Sequence, residues 1–462
     1  MHQNDTIIAL ATPSGAGAIA VIRLSGPEAI AMADTFFKSI HEKKLADQKS
    51  HTIHLGHITE AGRVLDEVLV SVFKNPTSYT GENVVEISCH GSSYIQQEII
   101  QLFVRNGARI ANPGEFTLRA FLNAKLDLSQ AEAVADLIAS DNKASHQIAM
   151  QQMRGGFSNE IKVLRDELLN FASLIELELD FSEEDVEFAD RKQFEDLLHR
   201  IIKVLKHLVD SFSTGNVIKS GIPISIVGAP NVGKSTLLNA LLNEDKAIVS
   251  DIAGTTRDAI EDEITIEGIK FRFIDTAGIR TTEDTIESIG IKKTFEKITQ
   301  SQVVLYLLDA SKVTSETIAL FNNDIRKIQE QYPDKQLIVV ANKMDQADKG
   351  LIETSFVYPN SLYTAAKSGE GITALKTKLL EFVNTGALRN NDTIITNSRH
   401  YDSLLKALSD VQRVQQAMDA QISGDLLAID IRQALYHFGE ITGEITSDDL
   451  LGNIFANFCI GK

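Results

Sequence analysis

The sequence predicts a multidomain α/β and α protein: an N-terminal α+β domain, a helical domain, and a P-loop α/β domain with a mostly parallel sheet, inserted into the helical one. Three observations predict it. At 462 residues the chain is too long for one core, and two to four domains are expected. The hydrophobic period changes class several times along the chain. A glycine-rich stretch, Gly228-Ala229-Pro230-Asn231-Val232-Gly233-Lys234-Ser235, follows a β-type run and opens a helical one.

From Thr6 to about Arg119 short β-like runs (IAVIRL, TIHLGHI, DEVLVSVF, VVEISCH) are broken by Gly, Pro and Asn, with one helical stretch at IQQEIIQLFVRNG. Between Leu128 and Phe212 turn signals nearly vanish and apolar residues recur at three and four, as in IKVLRDELLNFASLIELELDF and FEDLLHRIIKVLKHLVDSF, which predicts long amphipathic helices. At Ile222 strands begin to alternate with helices: ISIVG, KSTLLNALL, FRFIDT, VVLYLLD, QLIVVANK. That alternation is the signature of a parallel sheet with crossover helices. After about Phe382 helical periodicity returns, in YDSLLKALSDVQRVQQAMDAQ and LLAIDIRQALYHFGEI. The expected domains are 1–120, 121–215, 216–380 and 381–462, with the last joining the second.

The formal charge is −18, from 63 acidic and 45 basic residues, which argues against broad attraction to nucleic acid and leaves RNA contact local or shared with a partner. Hydrophobic residues at 43% and charged residues at 23% suit a folded soluble chain. The two cysteines, Cys89 and Cys459, have no metal-ligand spacing, which disfavours a disulfide framework or zinc site. MHQNDTIIAL has no basic stretch before its apolar run, and nothing reaches the roughly 18 apolar residues of a membrane span, so a cytoplasmic protein without membrane contact is expected.

The 228–235 stretch matches a phosphate-binding loop: backbone N–H groups curl around a β-phosphate, Lys234 reaches the β- and γ-phosphates, and the Ser235 hydroxyl ligates Mg²⁺. Asp275-Thr276-Ala277-Gly278 closes the strand FRFID, where a second carboxylate for Mg²⁺ and a Gly N–H for a γ-phosphate belong. Asn342-Lys343-Met344-Asp345 follows the strand LIVVA, and the Asp345 carboxylate can accept from guanine N1–H and the 2-amino group, neither of which adenine offers. That feature specifies a GTPase. Thr256, within Gly254-Thr255-Thr256-Arg257-Asp258, is the candidate second Mg²⁺ hydroxyl on a switch loop. Ala365-Ala366-Lys367 stands where guanine-binding folds usually carry Ser-Ala-Lys, with a backbone N–H for guanine O6.

Ile279 follows Gly278, where Ras-like enzymes place the glutamine that orients the attacking water. Glu283, Asp284 and Glu287 are carboxylates chemically fit to do this through a bridging water. No free arginine finger is evident. Asn231 either stabilises its own loop or brings a carbonyl near the β/γ bridge, where K⁺ in a cage completed by carbonyls of residues 250–255 would supply the missing charge.

From end to end the chain resembles the bacterial tRNA-modification GTPase family MnmE, also called TrmE, of the TrmE-Era-like lineage. The resemblance rests on DTIIALATPSGAGAIAVIRLSG, TSYTGENVVEISCHG, NPGEFTLRAFLNAKLDLSQAEAVADLI, GAPNVGKST, DIAGTTRD, DTAGIR, NKMD and the terminal CIGK. It implies a homodimer formed through a tetrahydrofolate-binding-like N-terminal domain, and a complex with the FAD-dependent partner MnmG, a heterotetramer or larger, with FAD on the partner only. It implies K⁺-stimulated GTP hydrolysis and installation of an aminomethyl or carboxymethylaminomethyl group at C5 of the wobble uridine of certain tRNAs. The carbon would come from 5-formyl- or methylene-tetrahydrofolate.

Position by position, the resemblance places folate contacts on Arg23, Glu82, Lys125 and Lys462, K⁺ ligands on Asn231, Ser250, Ile252 and Thr255, and the catalytic carboxylate on Glu287, with Cys459 beside the folate site. The nucleotide set becomes Asn231, Val232, Gly233, Lys234, Ser235, Thr236, Ser250, Asp251, Ile252, Ala253, Gly254, Thr255, Thr256, Asp275, Thr276, Ala277, Gly278, Asn342, Lys343, Asp345, Ala365, Ala366 and Lys367, with Mg²⁺ on Ser235 and Thr256. Two other readings compete. One is a ribosome-assembly GTPase of the Era-like lineage, though no strongly basic module follows Lys367. The other is a folate-dependent one-carbon transferase whose GTPase only regulates it.

Overall fold

The structure, a computed structural model, describes residues 5–180, 190–245, 262–274, 298–350, 352, 360–382, 393–420, 424–456 and 458–461. The chain divides into two compact units, one made of Met1–Ala139, Ala149–Lys206 and Arg399–Lys462, the other of Ser140–Ile148 and His207–Ser398.

The first unit opens with a seven-stranded sheet among the described residues. Its strands are β1 (Ile7–Leu10), β2 (Ile19–Ser25), β3 (Phe37–Ser39), β4 (Thr52–Glu60), β5 (Arg63–Phe73), β6 (Val84–His90) and β7 (Arg109–Ile110), in the order β3-β4-β5-β6-β2-β1-β7. β1 and β7 are parallel and the other pairs antiparallel. Alternation explains the register. On β5 Val68, Val70 and Val72 are buried while the alternating Glu67 and Leu69 are exposed. Ile22, Leu24, Val85 and Ile87 extend that inner face, and helix Ser93–Arg105 covers it with Ile99, Leu102 and Phe103.

The rest of this unit is helical. Helices Leu128–Ala139, Gly156–Asp180, Ser398–Asp419, Gly424–Thr442 and Asp448–Ala456 bury Phe157, Ile161, Leu168, Leu404, Val411 and Phe438, among others. A charged group is buried with them. Glu132 accepts from Arg399 at 2.8 Å and from His400 Nε2 at 2.6 Å, which ties helix 128–139 to helix 398–419 across 267 residues of sequence. Burial pushes the Glu132 carboxyl up, but His400 and Arg399 outweigh it and hold it down at about 2.

Among the described residues the second unit carries a six-stranded sheet of β8 (Ile222–Val227), β9 (Asp262–Ile266), β10 (Ile269–Phe273), β11 (Val303–Asp309), β12 (Gln336–Asn342) and β13 (Ser361–Tyr363), in the order β13-β12-β11-β8-β10-β9. Only the β9–β10 pair is antiparallel. Every residue of β11 is buried, as expected for a central strand covered on both faces. Helices Lys234–Asp245, Ser315–Gln331 and Ile372–Glu381 alternate with these strands. Among the described residues no helix is long and apolar enough to cross a membrane.

Candidate functional site

Two groups of candidate residues can be built from the chain upward, one in each unit. In the second unit, β8 runs into the 228–233 loop, and helix Lys234–Asp245 leaves it, so Ser235 and Thr236 stand in the helix's first turn. The Lys234 ammonium donates to the carbonyls of Gly228 (2.7 Å) and Ala229 (3.0 Å), which closes the loop on itself. Asn231 is exposed, with φ +64°. Gly233 is required where it is. Its φ is +100°, and a Cβ there would stand 2.3 Å from Asn342 Nδ2.

That Asn342 is the tie between loops. Its side chain, 2% exposed, donates through Nδ2 to Val232 O (2.9 Å), while Oδ1 accepts from Thr364 Oγ1 (3.2 Å) and from the Ala366 N–H (3.0 Å). Lys343 adds a second tie: its Nζ donates to Asn231 O at 2.8 Å and to Asp309 Oδ2 at 2.7 Å. Asp345 is exposed beside them. The 365–369 turn is held by backbone bonds, Ala365 N–H to Glu370 O and the Ser368 and Gly369 N–H groups to Ala365 O. The Ser absent at position 365 is therefore not needed to order the turn. The Ala366 N–H donates to Asn342 Oδ1, a buried amide oxygen that needs donors.

Ser250, Asp251, Ile252, Ala253, Gly254, Thr255, Thr256, Asp275, Thr276, Ala277, Gly278, Glu283, Asp284 and Glu287 lie outside the described residues. The nucleotide group seen here is thus the phosphate-loop and base-side half of the candidate set.

The first unit brings Arg23 and the terminal segment together. Arg23, on β2, donates through Nε to Glu86 Oε1 at 2.8 Å and through Nη1 to Gly461 O at 3.3 Å. Its guanidinium stands 5.3 Å from the Tyr79 ring centroid and 5.6 Å from that of Phe116. Gly461 can sit there because it has no side chain: φ is +98°, and a Cβ would meet Leu10 O at 2.2 Å. The Gly114 N–H donates to Cys459 O at 3.4 Å, while the Cys459 side chain is exposed. Lys462 lies outside the described residues.

Glu82 belongs to a deeper cluster that sequence reasoning missed. Arg119, its side chain 7% exposed, reaches Glu82 at 3.1 Å, Asp5 at 2.5 Å and Glu115 at 3.0 Å. Arg109 closes the ring onto Asp5 and Glu115. Ser25 Oγ donates to Glu82 Oε2 at 2.6 Å. Burial would raise the Asp5 and Glu115 carboxyls and lower Arg119. The facing charges win, so both acids titrate below their usual range and Arg119 above. Lys125 is exposed, with its stem against Gly81, next to Glu82. The available signal was that Tyr79, Glu82, Glu115 and Arg119 all fall inside the TSYTGEN and NPGEFTLRAF stretches.

A mostly parallel sheet with a phosphate-loop turn, and an Asn-Lys-x-Asp turn tied to that loop, define the second unit as the nucleotide domain of a P-loop GTPase. Residues 6–125 match the family described as GTP-binding protein TrmE N-terminus, and residues 128–459 match the MnmE helical domain. The chain is 65% identical over 474 residues to the tRNA modification GTPase MnmE of Christiangramia forsetii, and 66% identical over 463 residues to that of Flavobacterium psychrophilum, covering 100% of both chains in each case. The G domain of the T. maritima FeoB iron transporter is matched at 23% identity and a TM-score of 0.25, over 35% of this chain and 97% of that one. The chain belongs to the MnmE family of tRNA modification GTPases.

Proposed function

We propose that this protein hydrolyses GTP in a K⁺-stimulated manner and, with the FAD-dependent partner MnmG, installs an aminomethyl or carboxymethylaminomethyl group at C5 of the wobble uridine of certain tRNAs, with a one-carbon unit from 5-formyl- or methylene-tetrahydrofolate. The observation that carries the folate half of this reading is the seating of Gly461 O on Arg23. Residues from both ends of the chain thereby meet at a cation framed by the Tyr79 and Phe116 rings and paired with Glu86. Arg23 and Lys125 suit the anionic glutamate tail of a folate, and Glu82 suits the donor edge of its pterin. Lys462, one residue beyond Gly461, is proposed as a further contact, with Cys459 at the rim.

In the nucleotide domain Asp345 reads guanine, Lys234 and the N–H groups of 231–236 hold phosphates, and Lys343 and Lys367 flank the base. Ser235, a hydroxyl in the first turn of a helix, has the right chemistry and place for Mg²⁺, with Thr256 as its second hydroxyl. Asn231, exposed in a left-handed turn, is proposed to ligate K⁺, with Ser250, Ile252 and Thr255. These ions supply charge to the phosphates. Glu287 is proposed to orient the water.

A homodimer through the N-terminal domain is supported by an uncovered sheet face, where Ile53, Leu55 and Leu69 on paired β4 and β5 are 66%, 39% and 46% exposed. The domain limits 1–120, 121–215, 216–380 and 381–462 and a cytoplasmic location belong to the same reading. Mass analysis of tRNA nucleosides from cells lacking the protein tests it. The modified wobble uridine should vanish and return with the wild-type gene, and its persistence would refute the assignment. Hydrolysis should be faster in K⁺ than in Na⁺; equal rates remove K⁺ from the account.

A further inference from the structure

Asp309 has no place in any of the motifs above, yet it is one of the most constrained acids in the molecule. It ends β11, and the parallel register sets it directly beside Asn342, the last residue of β12. Its side chain is 4% exposed. Oδ1 accepts from the Ser311 N–H at 3.1 Å and from Ser311 Oγ at 2.6 Å, while Oδ2 accepts from Lys343 Nζ at 2.7 Å. Serine thus fixes one oxygen so that the other is aimed at a single ammonium.

Lys343 itself is in a conformation that a non-glycine residue adopts only under constraint, with φ +64°. Turned this way, its side chain runs back from the base-reading turn to the phosphate loop and donates to Asn231 O at 2.8 Å. Asn342 holds the next carbonyl, Val232 O. Two successive residues of one loop therefore grip two successive carbonyls of the other. The asparagine grip is fixed by its own buried partners, Thr364 and Ala366. The lysine grip has a flexible four-carbon stem behind it, and the carboxylate of Asp309 is what holds its tip.

We infer that Asp309 is a positioning residue for nucleotide binding: it holds Lys343 across the gap between the phosphate loop and the Asn342–Asp345 turn, so that phosphates and guanine are met in one register. This rests on the reading of those two loops as the GTP site. Asp309 touches no nucleotide atom in this account and acts only through Lys343. Its effect falls on affinity far more than on turnover, because a pre-set lysine reduces the ordering that binding must otherwise impose.

The test is nucleotide affinity in the full-length protein, read with a fluorescent GDP analogue and checked by GTP turnover. Asp309→Asn keeps the size and the serine bonds but removes the charge. It should weaken GDP binding by about 10- to 100-fold, the worth of one charge-assisted hydrogen bond, and raise KM much more than it lowers kcat. Ser311→Ala, which loosens the same carboxylate, should weaken binding by a smaller factor. In a Lys343→Gln background Asp309→Asn should add almost nothing. Three results would overturn the inference: unchanged affinity in Asp309→Asn, a melting shift without an affinity change, or effects of Asp309→Asn and Lys343→Gln that simply multiply. Failure of the wild-type protein to bind GDP would instead sink the nucleotide reading itself.

Discussion

Around the nucleotide loops, side chains bond mostly to backbone: Asn342 to Val232 O and the Ala366 N–H, Lys343 to Asn231 O, Lys234 to Gly228 O and Ala229 O. Around Arg119, side chains bond to side chains: Asp5, Glu82 and Glu115 converge on it, and Arg109 bridges two of them. The first arrangement fixes where loops lie and leaves groups such as Asp345 exposed. The second neutralises charge in a buried place, and each member depends on the others. The two regions should therefore fail differently: substitution in the loops should change ligand affinity, and substitution in the cluster should change stability.

The largest effect is expected in the cluster. Arg119→Ala leaves Asp5, Glu82 and Glu115 facing one another with only Arg109 to compensate, and should destabilise the N-terminal domain by about 3–5 kcal/mol, read as a fall in its melting temperature. A variant that melts like the wild type would erase the contrast. Glu132 sharpens the same point through pH. Its folded carboxyl lies at about 2, below the ordinary value of about 4.3, so its contribution is fully present above pH 4.5 and is lost as pH falls toward 2. Acid unfolding of the helical part between pH 4.5 and 2 should be shallower in Glu132→Gln. A somewhat smaller effect is expected from the loops. Asp345→Asn should lower GTP affinity by about 10²-fold and raise that for xanthosine triphosphate, with the melting temperature unchanged. An unchanged base preference would remove Asp345 from the site.

This contrast also explains what could be read from the amino-acid sequence. The nucleotide loops are legible because backbone-directed chemistry needs a few residue types at fixed local spacing: Gly233 for close approach, Lys234 and Ser235 at a helix start, Asn342 to Asp345 after a strand. The alternating β-runs of the first domain were legible too, since IAVIRL, TIHLGHI, DEVLVSVF and VVEISCH fall on β2, β4, β5 and β6. The Arg119 cluster was not, because its members lie at positions 5, 82, 109, 115 and 119 and share no period. Asp309 was hidden for another reason. As the last residue of VVLYLLD it looks like any strand-end acid, and its partner Lys343 becomes visible only when β11 and β12 are laid side by side.

On the proposed function, one chain carries a GTP site and a modification site, the second built on Arg23. This is tested most directly by measuring GTP hydrolysis in the purified protein and modified wobble uridine in cellular tRNA for the same two variants. Lys234→Ala should lose both, while Arg23→Ala should keep K⁺-stimulated hydrolysis near the wild-type rate and lose the modified nucleoside. Full modification in Arg23→Ala cells would contradict the account.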